Sequence, residues 1–263
     1  MDIISRFKLD GKKALVTGGG RGLGRAFAIA LAEAGADVAI IDINNETAKA
    51  VSQEIKSLGR KSIHINADVN KVSDVFKMVD KVTSLWSKID IAINNAGESH
   101  LVEAKKLEER DWDKIIDLDL KGTLFCAQAE AKAMIPNKYG KIINIASIAG
   151  YKIYSCGVND GNYEYQCSYS IAKAGVVHLT RCLAVEWAKY GIRVNCISPG
   201  FTNAPVLKEN RFKDVLSTWI NSIPMRRLAE VEDLQGAIIY LSSEISDYMT
   251  GQDLIIDGGF VLV

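Results

Sequence analysis

Short apolar runs alternate with stretches of helical periodicity along most of the chain, and this alternation predicts strands and helices in turn. The first apolar run, at 13–17, leads through a glycine-rich turn into residues 25–36, whose apolar positions recur at helical spacing. Further apolar runs of strand length lie at 37–42, 61–66, 89–94, 141–146, 192–197 and 254–256. Helical periodicity is found at 45–58, 72–86, 108–134 (interrupted near Gly122), 169–190, 208–220 and 232–242.

The repeated order of strand, helix and strand is typical of an α/β protein with a doubly wound parallel sheet and helices on both faces. We see no internal repeat and no Pro/Ser-rich linker, so we expect residues 1–263 to form a single domain. Ligands of such sheets bind beyond the carboxyl ends of the strands. The residues at or just after the predicted strand ends are therefore expected to meet at one rim: Thr17, Asp42, Asp68, Asn94, Ser147 and Pro199.

Charge and composition exclude several classes of partner. The 263 residues include 32 Lys+Arg and 32 Asp+Glu, and this zero net charge argues against nucleic acid or an anionic membrane as partner. No apolar run has the length of a signal peptide core or of a transmembrane helix. The five cysteines and three histidines show no metal-binding spacing, and the cysteine pattern indicates reduced thiols. We expect a soluble cytoplasmic protein that binds small molecules and no metal.

A glycine-rich turn joins the first predicted strand to the first predicted helix. Gly18, Gly22 and Gly24 let a pyrophosphate approach the backbone, and the helix N-terminus supplies N–H donors. The spacing differs from GxGxxG, and a purely structural turn is the alternative. The position between strand and helix favours nucleotide binding.

Asp42 ends the second predicted strand, 24 residues after Gly18. A carboxylate there can accept hydrogen bonds from an adenosine ribose and would repel a 2′-phosphate, which favours NAD over NADP. Arg21 in the turn favours the opposite choice, because a guanidinium pairs well with phosphate. Asp68 can border an adenine pocket, or it can cap the helix that follows.

Tyr169 and Lys173 are four residues apart, so on a helix they share one face. A neighbouring ammonium lowers the pKa of a phenol and so brings it closer to the neutral range. A hydroxyl from Ser147 at the same place could hold a substrate oxygen. This combination indicates proton transfer at a carbonyl or alcohol, although an exposed Tyr and Lys at a helix start remain the alternative.

Together these motifs resemble the compact, single-domain branch of the short-chain dehydrogenase/reductase family. The resemblance rests on Thr17-Gly18-x-x-x-Gly22-x-Gly24, Asp42, Asp68-Val69, Asn94-Asn95-Ala96-Gly97, Ser147, Tyr169-x-x-x-Lys173, Asn195 and Pro199-Gly200. It implies a Rossmann-type sheet of seven strands, usually assembled as a homodimer or homotetramer. It also implies NAD(P)-dependent hydride transfer between a secondary alcohol and a ketone.

The resemblance also implies roles for individual residues. Tyr169 would be the general acid/base, Lys173 would lower its pKa and bind the nicotinamide ribose, and Ser147 would orient the substrate oxygen. Asp119 stands where the family usually has Asn and is a fourth catalytic candidate, while Thr202 is the nearest threonine to a family position occupied here by Ala204. The implied cofactor-binding residues are Gly18, Arg21, Gly22, Leu23, Gly24, Asp42, Asp68, Val69, Asn95, Ala96, Gly97, Tyr169, Lys173, Pro199, Gly200 and Thr202.

The 22-residue gap from Ser147 to Tyr169 is longer than the family usually shows. Its additional segment, 148–168, carries aromatic, amide and carboxylate side chains: Tyr151, Tyr154, Asn159, Asp160, Asn162, Tyr163, Glu164 and Tyr165. Such groups suit a polyhydroxylated substrate, and a surface loop or subunit contact is an equal alternative.

We predict a polyol, ketose or sugar acid as substrate, on this segment and on a looser resemblance to sorbose, mannitol and gluconate members that includes the DGGF ending. Two alternatives stay open. A reductase of 3-oxoacyl or other hydrophobic ketones predicts an apolar cleft with a basic entrance. A non-catalytic, cofactor-binding regulator is suggested only by Asp119.

Overall fold

Nine short strands organise the computed structural model, which describes residues 2–159, 162–208 and 212–263. They are β1 (Lys13–Thr17), β2 (Asp37–Asp42), β3 (Ser62–Asn66), β4 (Ile91–Asn94), β5 (Gly140–Ile145), β6 (Gly157–Asn159), β7 (Asn162–Glu164), β8 (Ile192–Pro199) and β9 (Asp253–Ile256). Seven of them form one parallel sheet in the order β3-β2-β1-β4-β5-β8-β9. The predicted seven-stranded, doubly wound sheet is therefore confirmed.

In the part of the chain that the structure describes, eight α-helices connect or flank the strands. They are α1 (Gly22–Glu33), α2 (Asn45–Ser57), α3 (Val72–Trp86), α4 (Glu109–Ile115), α5 (Gly122–Met134), α6 (Cys167–Trp187), α7 (Lys213–Ser222) and α8 (Glu232–Ser242). Most predicted ends agree with these to within a few residues. The helix predicted from 208 begins at Lys213 instead, and residues 209–211 lie outside the described part of the chain. Within the described residues, no helix is both long and apolar enough to cross a membrane.

The sheet is covered on both faces because successive strand residues point to opposite sides. Leu15 packs with residues of α3, α5 and α6 in one core cluster. The next residue, Val16, packs with α1, α2 and α8 in the other. Leu15 and Val16 are both fully buried. The continuous apolar run of β1 therefore reflects a strand that is covered on both faces.

The parallel register brings the carboxyl ends of the strands to one edge. Thr17 is paired with Ile41 on one side and with Asn94 on the other. Ser147 follows the end of β5 by two residues and caps a short 3₁₀ turn at Ile148–Gly150, where its Oγ accepts from Ala149 N at 3.1 Å. The expected rim of polar residues is formed by this register.

Two local features go beyond the sequence prediction. The interruption expected near Gly122 within 108–134 is a π-helical turn at Ile116–Lys121, which places Asp119 in the interior. In the segment 148–168, β6 and β7 form a small antiparallel hairpin separate from the main sheet. π-Helical turns inside α-helices are frequent at functional sites.

A buried polar chain crosses the core beneath this edge. Glu130 on α5 accepts from Asn94 Nδ2 at 3.0 Å, Asn94 Nδ2 also donates to Asn144 Oδ1 at 3.1 Å, and Asn144 Nδ2 donates to Thr180 Oγ1 at 3.0 Å. Among the described residues, Glu130 Oε1 and Asn94 Oδ1 have no hydrogen-bond partner. Burial raises the pKa of Glu130 to about 8, so the carboxyl is held neutral near pH 7 and keeps a proton to donate.

We expect Glu130→Gln to stabilise the protein more at pH 9 than at pH 5. The raised pKa means that folding stability from this carboxyl is present below about pH 4.5 and is lost as the pH rises through about 8. Glutamine keeps the acceptor and does not ionise, so between pH 5 and pH 9 the variant should gain roughly 4 kcal/mol in unfolding free energy relative to wild type. Urea unfolding at pH 5 and at pH 9 measures the difference in unfolding free energy between Glu130→Gln and wild type. If this difference is the same at both pH values, Glu130 does not titrate between them.

Candidate active site

One large cavity, of about 1050 Å³, opens along the carboxyl edge of the sheet. Its wall draws residues from the glycine turn after β1, from the ends of β2, β4, β5 and β8, and from α6 and α7. Cavities at this edge are where parallel α/β sheets bind their ligands. We therefore take it as the candidate active site.

The glycine turn forms the wall near α1. Gly18 has a φ of +61°, a conformation that glycine adopts without strain. A Cβ at Gly22 would meet no protein atom, because this residue faces open space. Gly24 does not line the cavity. Glycine is needed there for a different reason, because a Cβ would collide with the Gly18 carbonyl. Gly24 therefore permits the close packing of turn and helix, and its assignment to the cofactor-binding motif stays a prediction.

Asp42 lies in the neighbouring part of the cavity wall. Its Oδ2 accepts from Gly20 N at 2.9 Å, and its Oδ1 accepts from Asn44 N at 2.9 Å. The carboxylate thus ties the glycine turn to the start of α2 and stands at the cavity surface with fixed orientation. A hydroxyl pair could bind to its remaining lone pairs, whereas a phosphate would meet its charge.

The segment after β4 is locked to the glycine turn. Asn95 N and Ala96 N both donate to Thr17 Oγ1, at 3.1 and 3.2 Å. Asn95 Nδ2 donates to the carbonyls of Thr17 and Gly18, at 3.1 and 3.2 Å. These bonds give the cavity floor a rigid shape that does not depend on a ligand.

A buried ion pair lies between α6 and the π-helical turn. Lys173 Nζ is 2.9 Å from Asp119 Oδ1 and donates to Ile145 O at 3.0 Å. Asp119 is fully buried, and its Oδ2 accepts from Glu98 N at 3.2 Å. A Cβ on Gly97 would lie 2.5 Å from Asp119 Oδ1, so only glycine fits against this pair.

Tyr169 lies one helical turn before Lys173, with the ammonium 5.4 Å from the centre of its ring. Burial raises the pKa of Tyr169, the Lys173 ammonium lowers it, and the Asp119 carboxylate raises it again, so the net direction is upward from 10. The Lys173 ammonium thus lowers the pKa of this phenol, as expected, but the net shift is away from the neutral range. Burial outweighs the ammonium, and Asp119 offsets part of its field.

The pKa of Lys173 moves in the direction that keeps it charged. Burial lowers the pKa of the amine, but the Asp119 carboxylate and Tyr169 raise it more, and the net shift is upward. The Asp119–Lys173 pair is therefore a charged unit next to a phenol that holds its proton at neutral pH.

Of the described aromatic side chains in the segment 148–168, Tyr154 lines the cavity. Tyr151 is directed elsewhere, with its hydroxyl 2.5 Å from Asp253 Oδ2, and Tyr165 is exposed outside the cavity wall. Asp160 and the side chains of Asn159, Asn162, Tyr163 and Glu164 lie outside what the structure describes. Within the described side chains of this segment, Tyr154 is the predicted substrate-side aromatic residue that lines the cavity, and what is expected of the undescribed side chains stays a prediction.

An aromatic cluster that sequence reasoning missed closes the far end of the cavity. Phe201 stacks on Trp219 at 4.3 Å, and Tyr154 meets Phe201 edge-on at 5.0 Å. Phe212 packs against Trp219 at 5.4 Å. Trp219 lies in α7, and Phe212 directly precedes that helix. Both are far from the other site residues in sequence, so no local pattern could have indicated them. Gln166 was also missed, although its position three residues before Tyr169 places it one turn away.

Apart from Gly24, every predicted site residue lines the same cavity. The residues that the structure brings together there are Gly18, Arg21, Gly22, Leu23, Asp42, Asp68, Val69, Asn95, Ala96, Gly97, Asp119, Ser147, Tyr169, Lys173, Pro199, Gly200 and Thr202. Asp68 also caps its own loop, because its Oδ1 accepts from Asn70 N at 3.0 Å. Strand order, glycine-rich first crossover and cavity together define a Rossmann-type protein.

Comparisons with known proteins agree with this class. A family model described as "Enoyl-(Acyl carrier protein) reductase" matches residues 18–261. The 2-dehydro-3-deoxy-D-gluconate 5-dehydrogenase of Escherichia coli (strain K12) is 36% identical over 261 residues, covering 98% of this chain and 99% of that protein. A 3-oxoacyl-acyl-carrier-protein reductase of Chlamydia pneumoniae is 37% identical over 254 residues, covering 95% and 97%.

A solved structure extends the likeness to the fold. The crystal structure of a short-chain type dehydrogenase/reductase from Mycobacterium marinum superposes with a TM-score of 0.91 at 36% identity, covering 98% of this chain and 99% of that one. The chain belongs to the short-chain dehydrogenase/reductase family. As a member, it is an oxidoreductase that acts on alcohols and ketones.

Proposed function

We propose that residues 1–263 act as one dinucleotide-binding and catalytic domain that transfers hydride between NAD(H) and a secondary alcohol or ketone. The observation that carries this proposal is the meeting of Ser147, Tyr169 and Lys173 with the glycine turn around a single cavity. A bound nicotinamide supplies the hydride chemistry. The chain supplies the proton, the orientation of the substrate oxygen and the exclusion of water.

In this proposal Tyr169 exchanges the proton with the substrate oxygen, and Ser147 fixes that oxygen beside it. Both residues line the same cavity, and hydrogen bonding by the Ser147 hydroxyl lowers the pKa of Tyr169. Lys173 keeps a positive charge next to the phenol, and Asp119 fixes the ammonium in place. A neutral phenol suits the donation of a proton to a ketone, while alcohol oxidation requires the phenolate and gains with rising pH.

We propose NAD as the preferred cofactor, with the glycine turn and Asp42 as its adenosine-side contacts. The cavity fits such a group, because Gly22 opens it to a phosphate and the Asp42 carboxylate is fixed at its edge. Arg21 also lines the cavity and is exposed. Its charge lies at the rim, whereas Asp42 is anchored by two backbone amides, so Asp42 has the stronger influence on a 2′-substituent.

We expect Asp42→Asn to shift cofactor preference towards NADP. Asparagine keeps an acceptor for a backbone amide and removes the charge that repels a 2′-phosphate. The ratio of kcat/KM for NAD to that for NADP should fall by about tenfold to a hundredfold. Initial rates with each cofactor at fixed substrate measure the ratio, and Asp68→Asn, at the neighbouring strand end, is the matched control. A ratio unchanged by Asp42→Asn would reject the assigned discrimination.

We propose a polyol, ketose or sugar acid as substrate. The hydroxyls of Ser147, Tyr154 and Tyr169 and the amide of Gln166 supply hydrogen-bonding groups, and the aromatic cluster supplies flat faces against which the C–H faces of a sugar can pack. The similarity to the gluconate-type dehydrogenase supports this class.

A second candidate, the reduction of a 3-oxoacyl or other hydrophobic ketone, is favoured by the apolar character of Phe201, Phe212 and Trp219. The similarity to the 3-oxoacyl reductase supports it as well. Lys114, at the cavity wall, is paired with Glu98 at 2.9 Å, which leaves less free positive charge for a carrier phosphate. This pairing favours the first candidate.

Assembly as a homodimer or homotetramer and a cytoplasmic location complete the proposal. Family membership supports the oligomer, because enzymes of this family are usually oligomeric. Sedimentation of the purified protein distinguishes the dimer from the tetramer.

A panel of polyols, sugar acids, simple secondary alcohols and 3-oxoacyl thioesters, each assayed with NAD and with NADP, tests the proposal. We expect the highest kcat/KM for a polyhydroxylated substrate with NAD. Turnover confined to 3-oxoacyl substrates would establish the second candidate, and absence of turnover with tight NAD binding would indicate a regulator.

A further inference from the structure

Tyr154 places a third hydroxyl beside the two already assigned. Its oxygen accepts a hydrogen bond from Gln166 Nε2 at 2.9 Å. The Ser147 hydroxyl acts on both phenols, since its hydrogen bonding lowers the pKa of Tyr154 and of Tyr169 against the larger effect of burial. All four side chains, those of Gln166, Tyr154, Ser147 and Tyr169, line the same cavity.

The ring of Tyr154 is held firmly in this position. It packs edge-on against Phe201 at 5.0 Å, Phe260 at 5.6 Å and Trp219 at 6.4 Å. The adjacent backbone is fixed too, because Trp219 Nε1 donates to Ser155 O at 2.8 Å. A side chain clamped in this way holds its hydroxyl without further loss of rotamer freedom when a ligand binds.

The state of the Tyr154 hydroxyl makes it a donor. Burial raises the pKa of Tyr154, which keeps the phenol neutral. Because the oxygen accepts from Gln166, its own proton is available for another acceptor. The cavity-lining amide of Gln166 adds a second polar group at the same point.

We propose that Tyr154 and Gln166 form a subsite for the oxygen on the carbon next to the reacting carbon, so that the enzyme selects vicinal diols and α-hydroxyketones. This inference rests on the proposed function, in which Tyr169 and Ser147 hold the reacting oxygen. Oxygens on neighbouring carbons can lie about as far apart as two hydrogen-bonded oxygens. A ligand with two such oxygens can thus meet Tyr169–Ser147 and Tyr154–Gln166 at once.

The subsite explains how an aromatic cavity can select a hydroxylated substrate. A substrate without the second oxygen would bury the Tyr154 hydroxyl and the Gln166 amide with no partner from the ligand. Sites built to hydrogen-bond a substrate hydroxyl discriminate strongly against analogues that lack it. Tyr154 is in this account a specificity-determining residue.

Acetoin and butanone test the subsite, because they share a carbon chain and differ in the hydroxyl next to the ketone. With NADH, wild type should show a higher kcat/KM for acetoin than for butanone. Tyr154→Phe keeps the packed ring and removes the hydroxyl, so it should lower the acetoin-to-butanone ratio about tenfold to a hundredfold. Gln166→Leu should lower the same ratio.

Tyr151→Phe is the matched control. It makes the same chemical change three residues away, where the hydroxyl bonds Asp253 outside the cavity, and should leave the ratio at its wild-type value. A general structural effect of Tyr154→Phe would lower both rates together and leave the ratio unchanged, and that result would overturn the subsite. Tyr169→Phe separates the two proposals: if it abolishes both reductions while Tyr154→Phe leaves the ratio unchanged, the proposed function stands and the subsite falls.

Discussion

Replacing Tyr169 with Phe should reduce turnover by at least about 10²-fold to 10⁴-fold while leaving cofactor binding largely intact. The substitution removes the hydroxyl that we propose exchanges a proton with the substrate, and it keeps the ring against Lys173. Steady-state kinetics with the best substrate of the panel measure the loss in kcat. Fluorescence titration with NADH measures the dissociation constant, which should stay within a few fold of wild type.

The control for this variant is Tyr190→Phe, which changes an exposed tyrosine in the 3₁₀ turn that follows the same helix. It should retain wild-type kcat and thermal stability. Near-normal turnover by Tyr169→Phe would remove this residue from the chemistry and leave the cavity without an acid/base. Loss of NADH binding in the same variant would instead assign Tyr169 a role in holding the cofactor.

Asp119→Asn should have the second-largest effect, by moving the pH dependence of alcohol oxidation to lower pH. In the proposed function, oxidation requires the phenolate of Tyr169, so its rate should rise as the pH passes through the pKa of that group. The Asp119 carboxylate raises this pKa and the Lys173 ammonium lowers it. Without the carboxylate the ammonium acts unopposed, so the alkaline rise in kcat/KM should begin at lower pH.

The same variant should also be less stable. Lys173 is buried and 2.9 Å from Asp119, and removing one partner of a buried pair costs about 3–5 kcal/mol. The pKa of Lys173 is raised in the folded protein, so the stability from this pair is fully present below the lysine's unfolded pKa. This stability is lost as the pH rises through the pKa that Lys173 has in the folded protein. Urea unfolding at neutral pH should therefore show the full loss.

Asp117→Asn is the matched control for Asp119→Asn. It makes the same change two residues earlier in the π-helical turn, where the carboxylate pairs with Lys121 at the surface at 3.1 Å. We expect wild-type stability within about 0.5 kcal/mol and an unchanged pH profile. A pH profile of Asp119→Asn that coincides with wild type would show that Asp119 only supports the fold.

The main sheet and most of the cavity wall could be predicted because each depends on short-range patterns. Apolar runs such as 13–17 and 141–146 are strands in the structure, and the residues that follow them reach the same edge because parallel strands share direction. The glycine turn before α1 could be placed for the same reason, since its chemistry lies within a few residues. Gly24 belongs to the same motif, and the structure adds that a Cβ on it would collide with the Gly18 carbonyl, so it permits the close packing of turn and helix.

What the sequence did not predict depends on contacts between distant segments. Trp219 reaches the cavity because α7 packs over Phe201, and nothing near Trp219 in sequence indicates this. The direction of the pKa shift of Tyr169 depends on how deeply it is buried and on Asp119, which a π-helical turn carries into the interior. Tyr151 and Tyr154 are three residues apart and similar in sequence context, yet one bonds Asp253 and the other lines the cavity.

The most direct test of the central claim follows the hydrogen itself. The best alcohol of the panel is prepared with deuterium on its carbinol carbon and turned over with NAD by wild-type enzyme, and the reduced cofactor is isolated and analysed by NMR. The account predicts that the deuterium is found on C4 of the nicotinamide ring, with no exchange into water. Deuterium recovered in the solvent, or reduced cofactor that carries none, would contradict direct hydride transfer in this cavity.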